Sequence, residues 1–259
     1  QWGYIDERGS LAIPIQYDSA GDFSEGLAPV SREGLFGFID KKGNYLINPQ
    51  FSAALEFRSS RAAIMVQDQA GFIDKTGNMV IKPQFEACYS FQRDVAVIVE
   101  QGRWGLIDKR GEILLSPRFE IRDGFPIGEF FEGMALAIEG DRFGFVNQQG
   151  QIAIEPQFEL AGDFGEGLAL VEQNGAYGYI DKTGKWVIEA QYEDAGVFAD
   201  GLAQVSVKGQ WGYIDTEGKM AILPRFEVAN PFKDGLALVE LEGKWAYIDR
   251  WGDVVWREK

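Results

Sequence analysis

The sequence predicts an all-β protein built from tandem repeats of about 34 residues, and three recurring strings of residues lead to this prediction. The first is an aromatic-Gly-aromatic-Ile-Asp string, which occurs eight times, with one or two substitutions in four of the copies. An Asp-x-x-Gly string begins at its last residue, with Asn in place of Asp in the fifth copy, and a Pro-Gln-aromatic string, or its variant with Arg in place of Gln, follows in five of the eight copies. A fixed period of this size is typical of repeat architectures, in which each unit packs on its neighbours. We therefore expect one β domain over residues 1–259, with about seven to eight repeats.

The period is set by the glycine of the first string. This glycine column comprises Gly3, Gly37, Gly71, Gly105, Gly144, Gly178, Gly212 and, in the eighth place, Ala246. Successive members are 34 residues apart, except for the step of 39 between the fourth and the fifth. The aromatic residues on either side of each glycine share one face of a strand, because side chains alternate along a strand. The glycine leaves room for another segment to approach closely.

Each repeat divides into four segments, and the glycine string is the second of them. The first segment is a short apolar strand such as 167–171, which reads Gly-Leu-Ala-Leu-Val. The third segment begins with a turn such as 40–43, where Asp accepts backbone hydrogen bonds and Gly takes a positive φ. This turn predicts a β-hairpin. Its strand stops at Pro-Gln-aromatic, because proline cannot donate to a ladder and marks a strand end or an edge. In the fourth segment, Ala20 and Phe23 predict one short turn of helix or an irregular extended return.

Two architectures use such units, an open β-solenoid-like or superhelical array and a closed β-propeller with seven or eight blades. A repeat of 34 residues is short for a four-stranded blade, since propeller repeats run to roughly 40–50 residues. The chain also contains eight glycine strings but only seven of the apolar strands that precede them. Both features favour the open array, with the closed propeller as the alternative.

These columns closely resemble the WG-repeat family, also called KWG repeats, which is found mostly in bacterial proteins. The resemblance is carried by four signatures that recur in phase: Trp-Gly-x-Ile-Asp, Asp-x-x-Gly, Ile-x-Pro-Gln-Phe and the return Phe-x-x-Gly-Leu-Ala-x-Val. It covers essentially the whole chain and implies an all-β repeat region with a binding or scaffolding role. It brings no catalytic residues. The third repeat departs most, because Ala70 replaces the first aromatic and Arg61 and Arg93 interrupt the return.

Composition limits the classes of partner. The net charge is −15, which argues against binding nucleic acid or an anionic membrane through the bulk surface. The chain contains no run of 18 apolar residues, so we expect no membrane span. Its single cysteine, Cys88, makes no internal disulfide and fits a small buried thiol. We expect a soluble protein, either cytoplasmic or exported, and the start within a repeat suggests a fragment of a longer chain.

The sequence offers little for catalysis. Histidine is absent, which removes histidine-dependent triads and histidine-ligated metals. The Asp-x-x-Gly turns lack the neighbouring acidic ligands of a calcium loop. We therefore expect no enzyme, no cofactor and no metal, with a carboxylate-based hydrolase as a remote alternative. The first aromatic column suggests stacking on sugars or bases, although packing between repeats explains its recurrence better.

Departures from the repeat are better indicators of function than the repeat itself. The five additional residues fall within 120–129, and insertions in repeat proteins become loops on one face. The candidate partner-binding residues are Arg118, Arg122, Phe125, Pro126 and Ile127. The three apolar ones are unfavourable to expose without a partner, and the two arginines provide a basic spot in an acidic protein. The predicted function is a non-enzymatic module that binds another protein or peptide, and the alternative is a glycan- or envelope-binding module.

Overall fold

The computed structural model describes residues 1–122 and 128–259, and every regular element in these two ranges is a β-strand. The predicted all-β class is therefore confirmed. The chain divides into two compact units, Gln1–Asp123 and Gly124–Lys259, and the expectation of one domain stays a prediction. Over the described residues, no helix is long and apolar enough to cross a membrane.

Fourteen strands belong to residues 1–122, the described part of the first unit. They are β1 (Trp2–Ile5), β2 (Leu11–Tyr17), β3 (Ser19–Ala20), β4 (Leu27–Arg32), β5 (Leu35–Asp40), β6 (Tyr45–Phe51), β7 (Ala53–Ala54), β8 (Ala62–Val66), β9 (Gln69–Ile73), β10 (Met79–Phe85), β11 (Ala87–Cys88), β12 (Val95–Glu100), β13 (Arg103–Asp108) and β14 (Ile113–Glu120).

Fifteen strands belong to the described part of the second unit. They are β15 (Met134–Glu139), β16 (Arg142–Asn147), β17 (Ile152–Phe158), β18 (Leu160–Gly165), β19 (Leu168–Gln173), β20 (Ala176–Asp181), β21 (Trp186–Tyr192), β22 (Asp194–Ala195), β23 (Leu202–Val207), β24 (Gln210–Asp215), β25 (Met220–Phe226), β26 (Val228–Ala229), β27 (Leu236–Leu241), β28 (Lys244–Asp249) and β29 (Val254–Arg257).

The strands form small antiparallel sheets in which sequence neighbours pair. Six of the sheets have four strands each, in the orders β3 to β6, β7 to β10, β11 to β14, β18 to β21, β22 to β25 and β26 to β29. The pair β1–β2 and the three strands β15 to β17 make two smaller sheets. The preference for an open array over a closed propeller stays a prediction.

The fourth segment of the repeat is a short strand rather than a turn of helix. Ala53 and Ala54 pair with Met65 and Ile64, so this segment adds β7 to the edge of its sheet. With four antiparallel strands instead of three, the last strand of each sheet runs opposite to the first, so the next repeat can begin in the same direction as the one before it.

A two-residue turn returns the chain from this segment to the next apolar strand. In the sheet of β3 to β6, Glu25 and Gly26 both have positive φ. Ser24 and Leu27 exchange two backbone hydrogen bonds across the turn. The return therefore closes as a tight hairpin-like connection.

The strand after the Asp-x-x-Gly turn ends at the Pro-Gln-aromatic string and lies at the sheet edge, as predicted. Its proline lies within a bulge of that edge strand. Phe38 pairs with Ile47, whereas Phe36 pairs with Phe51, so two additional residues of β6 protrude between these pairs. Pro49 lies in the protrusion, where its missing N–H does not interrupt the ladder.

The core lies between successive sheets within each unit. The second aromatic of the glycine string contacts the phenylalanine of the return in the next repeat, for example Phe38 with Phe57 at a ring-centroid distance of 4.9 Å. The same contact, at 4.8 Å, joins Tyr4 to Phe23, Phe72 to Phe91, Phe145 to Phe164, Tyr179 to Phe198, and Tyr213 to Phe232. These contacts link neighbouring repeats by burying aromatic surface.

Candidate functional site

The glycine of the opening string lies against the backbone of the adjacent strand. A Cβ at Gly212 would lie 2.5 Å from the carbonyl oxygen of Ile222, where the bulge of that strand begins, and 2.7 Å from the nitrogen of Pro224 within it. Ala246, the eighth member of the column, pairs directly with Arg257, and the next residue pairs with Trp256, so no bulge covers it. The glycine of the string therefore leaves room for the proline bulge of the adjacent strand.

The Asp-x-x-Gly turns have the predicted hairpin chemistry. In the turn at Asp181, one carboxylate oxygen accepts the N–H groups of Thr183 (2.8 Å) and Lys185 (3.1 Å), and the Thr183 hydroxyl at 2.6 Å. Gly184 has a φ of 82° and donates to the Asp181 carbonyl at 2.9 Å. These carboxylates are engaged by their own turns, and no group of three or more metal-ligating side chains occurs in the ranges that the structure describes.

A second set of carboxylates links successive repeats. The Glu132 carboxylate accepts the backbone N–H of Gly167, 35 residues later, at 3.0 Å. Lys182 donates to the Glu132 carbonyl at 2.9 Å and forms an ion pair with its carboxylate at 3.0 Å. In the first unit, Glu25 pairs in the same way with Lys75 at 2.9 Å. Some of the acidic side chains thus stabilise the contact between successive repeats.

The pKa of Glu132 reflects this position. The hydrogen bond from Lys182 holds the pKa of the carboxyl below its ordinary value against partial burial, and the N–H of Gly167 lowers it further. The carboxylate is therefore the form that links the two repeats. Because both partners remain accessible to water, the interaction is screened and modest in energy.

The first aromatic column is packed between repeats over much of the chain. Trp104 and Phe143 are buried, and Phe36, Tyr177 and Trp211 are half-buried against neighbouring core clusters. Packing thus explains these members, as the sequence led us to expect. The first and last members of the column, Trp2 and Trp245, are exposed.

The predicted partner-binding residues are only partly described. Arg118 lies in β14 with its guanidinium 5.3 Å from the centre of the Phe119 ring, and its carbonyl accepts a hydrogen bond from Arg103. The Arg122 guanidinium lies 3.7 Å from the Glu120 carboxylate, so an acidic group partly offsets the predicted basic spot. The remaining three candidates, Phe125, Pro126 and Ile127, lie outside the described residues, and their role stays a prediction.

An apolar pocket of about 290 Å³ lies between the third and fourth sheets of the first unit, and the sequence reasoning missed it. Residues 53–55, 63–65 and Ala70 form one wall, and residues 87–89 form the other. We call it the Ala70 pocket. The feature of the sequence that could have indicated this pocket is Ala70, which replaces the first aromatic residue of the third repeat.

The Cys88 thiol lines the Ala70 pocket and is buried. Burial raises the pKa of Cys88 to about 12, so the group is a neutral thiol at physiological pH. A neutral thiol in apolar surroundings behaves as a small hydrophobic group with low reactivity.

The fold and these contacts define a tandem β-repeat protein whose recurring residues hold each repeat to the next. The model of the WG containing repeat matches seven stretches, residues 2–36, 36–68, 71–104, 104–142, 143–175, 177–211 and 211–245. The chain therefore belongs to the WG-containing repeat family. A comparison with curated protein sequences found no match.

Several solved structures are similar to this chain at low sequence identity. A eukaryotic initiation factor is 14% identical with a TM-score of 0.47, and the match covers 86% of this chain and 70% of that one. PorZ, a surface component of the type-IX secretion system of Porphyromonas gingivalis, is 10% identical with a TM-score of 0.37, over 94% of this chain and 38% of PorZ. The extracellular domain of a putative one-component system of B. thetaiotaomicron is 11% identical with a TM-score of 0.35, over 94% of this chain and 42% of that one.

Proposed function

We propose that this chain is a non-enzymatic binding or scaffold module that recognises another protein or peptide. The observation that carries the proposal is the use of the recurring residues. The glycine column holds the proline bulges, the turn aspartates hold their own hairpins, and Glu132 and its counterparts link repeats. The recurring residues thus hold the repeats together, and the residues that differ between repeats are left on the surface. Repeat proteins bind their partners through such extended surfaces.

The proposal is tested by retention of a protein partner on the immobilised chain, followed by titration with the purified partner. We expect saturable binding with a defined stoichiometry. A chain that retains no protein above an unrelated acidic protein of similar charge contradicts the proposed function. The acidic control is needed because a net charge of −15 attracts basic proteins without specificity.

A deletion variant locates the contribution of the insertion. Removing residues 123–127 returns the step from Gly105 to Gly144 to the period of 34 and keeps every described strand. If the insertion contributes to binding, we expect at least a tenfold weaker Kd, and Arg122→Glu tests its basic flank separately. Unchanged binding by both variants removes this segment from the site and leaves the protein-binding function in place.

Glycan binding is the second candidate, and exposed indole rings favour it. Trp251 is 75% exposed, and Trp245 and Trp256 are exposed on the last sheet, where sugars could stack on such rings. Retention on peptidoglycan or polysaccharide columns that is lost in Trp251→Ala would support this candidate. If protein recognition is the function, the chain passes through these columns unretained.

A further inference from the structure

We propose that the Ala70 pocket binds an aromatic side chain of the partner polypeptide, a proposal that rests on the protein-binding function above. The pocket would then be the anchoring point of the interaction. Aromatic side chains that fill well-packed pockets contribute a large share of the energy in protein interfaces.

The first argument is the register of the repeat. At the equivalent position in the second repeat, Phe36 packs half-buried against the core cluster shared by its own sheet and the next. Tyr177 does the same between two sheets of the second unit. Ala70 has only a methyl group at this position and pairs with Met65 across the hairpin. The pocket is therefore a space that the neighbouring repeats fill with a ring of their own.

The second argument is the chemistry of the walls. The residues that line the pocket are alanine, leucine, isoleucine, methionine, tyrosine and cysteine, so the walls carry no carboxylate, ammonium or guanidinium group. A charged or polyhydroxylated group would lose its hydrogen bonds to water and find few to replace them. An uncharged, largely apolar ring loses little and gains contacts.

The third argument is size. The volume of about 290 Å³ lies just below the range of roughly 300–1,000 Å³ typical of small-molecule and cofactor sites. It suits one side chain better than a cofactor. The rim includes Leu55 and Tyr89, each 39% exposed, which would contact the residues on either side of the inserted ring.

The pocket is tested on the full chain with N-acetyl-tryptophanamide as the probe and N-acetyl-alaninamide as the control, observed by methyl NMR. We expect saturable shifts of the Leu55 and Met65 methyl groups, which line the pocket on the face of Ala70, with the first compound and none with the second. Absence of saturable binding by the tryptophan compound overturns the pocket proposal. The proposed function does not depend on that result, because partner retention tests it separately.

Two variants test the location of the site. Ala70→Phe restores the ring of the other repeats and should weaken probe binding at least tenfold. Ala221→Phe, which adds the same ring at an exposed strand position in the second unit, should leave it unchanged. If Ala70→Phe does not fold, Leu55→Asp places a charge at the exposed rim and should also weaken binding. Probe binding that persists in the folded variants overturns the location.

A third variant tests the register argument directly. Phe36→Ala removes the ring from the second repeat and leaves there the methyl group that the third repeat has at Ala70. We expect the stoichiometry to rise from one probe per chain to two. A stoichiometry that stays at one in the folded variant overturns the view that the ring fills an equivalent space.

The partner itself tests the anchoring role. With the purified partner, Ala70→Phe should weaken the Kd at least tenfold, whereas Ala221→Phe should leave it unchanged. A partner that binds Ala70→Phe with unchanged Kd overturns the pocket as the anchor, while the protein-binding function stands.

Discussion

At the scale of single residues, the most constrained position is the glycine between the two aromatics. Its constraint comes from the backbone of the neighbouring strand and not from its own φ, because a Cβ at Gly212 would lie 2.5 Å from the Ile222 carbonyl oxygen. Backbone cannot move aside as the end of a flexible side chain can. The eighth position of the column tolerates alanine because no bulge covers Ala246.

A substitution at this column measures the constraint. We expect Gly212→Ala to lower the free energy of unfolding by about 1–3 kcal/mol, because the added methyl group must displace the bulge at Pro224. The matched change Ala246→Gly should lower it by only about 0.5–1 kcal/mol, through the conformational freedom of glycine. Urea unfolding of both variants gives the comparison. Equal losses would contradict the role assigned to the bulge.

At the scale of elements, each hairpin is stabilised locally and is also linked to the next repeat. The turn aspartate acts within its own hairpin, as Asp181 does through Thr183 and Lys185. Glu132 acts between hairpins, by accepting the N–H of Gly167 and pairing with Lys182. Both roles place negative charge against backbone N–H groups, which offsets part of the repulsion expected at a net charge of −15.

The inter-repeat link predicts a pH dependence. Because the pKa of Glu132 is lowered in the folded chain, its contribution is present above its ordinary value of 4.5 and is lost as the pH falls through the folded pKa. We expect Glu132→Gln to lower stability by about 0.5–1 kcal/mol at pH 7, discounted for solvent screening. The difference from the unsubstituted chain should shrink below about pH 4.5.

The control for this prediction is Glu217→Gln, which neutralises an exposed carboxylate in the Asp215 turn. Its effect should stay within about 0.5 kcal/mol, as for most surface substitutions. Chemical unfolding between about pH 3 and pH 7 measures both variants across the titration of carboxyl groups. A loss at Glu132 that is independent of pH over this range would show that the carboxylate does not carry the link.

At the scale of the molecule, stability is distributed over neighbouring sheets and not over one central core. The buried clusters of the second unit join β15–β17 to β18–β21, then that sheet to β22–β25, and finally β22–β25 to β26–β29. Each cluster draws on two successive repeats. This is the arrangement in which stability is approximately a sum of repeat and interface contributions.

The second unit should therefore fold by itself. We expect residues 128–259 to keep a β-type circular dichroism spectrum and a cooperative urea transition, because its three clusters remain intact. The matched fragment 150–259 separates β17 from its partner β16 and should unfold at a lower urea concentration. An unfolded 128–259 fragment would contradict this distribution of stability.

Much of the fold could be predicted because its determinants are local. The Asp-x-x-Gly turns, the apolar strands and the edge proline follow from the chemistry of a few adjacent residues. The return was expected to be one short turn of helix or an irregular extended segment, and the structure has the extended form. It forms β7 and its counterparts because Ala53 pairs with Met65, a contact between residues distant in the sequence that local spacing does not reveal.

The candidate site was less predictable than the fold. Arg118 and Arg122 were singled out from an insertion, and the structure places them beside Phe119 and Glu120. Ala70 was noted only as a departure from the pattern. The pocket beside Ala70 has its other wall at Cys88, in the next sheet. The sequence around Ala70 does not show which residues of another repeat face it.

The sequence by itself determined the repeat, its all-β character, its hairpin turns and its family, because each is encoded in the identity and spacing of residues within one 34-residue period. Tertiary structure alone decided what lies over the glycine column and what is left open beside Ala70. Both depend on how an adjacent strand or sheet approaches. That approach is set by packing between segments. The periodicity of the sequence shows that each repeat contacts the next, but it does not show how closely.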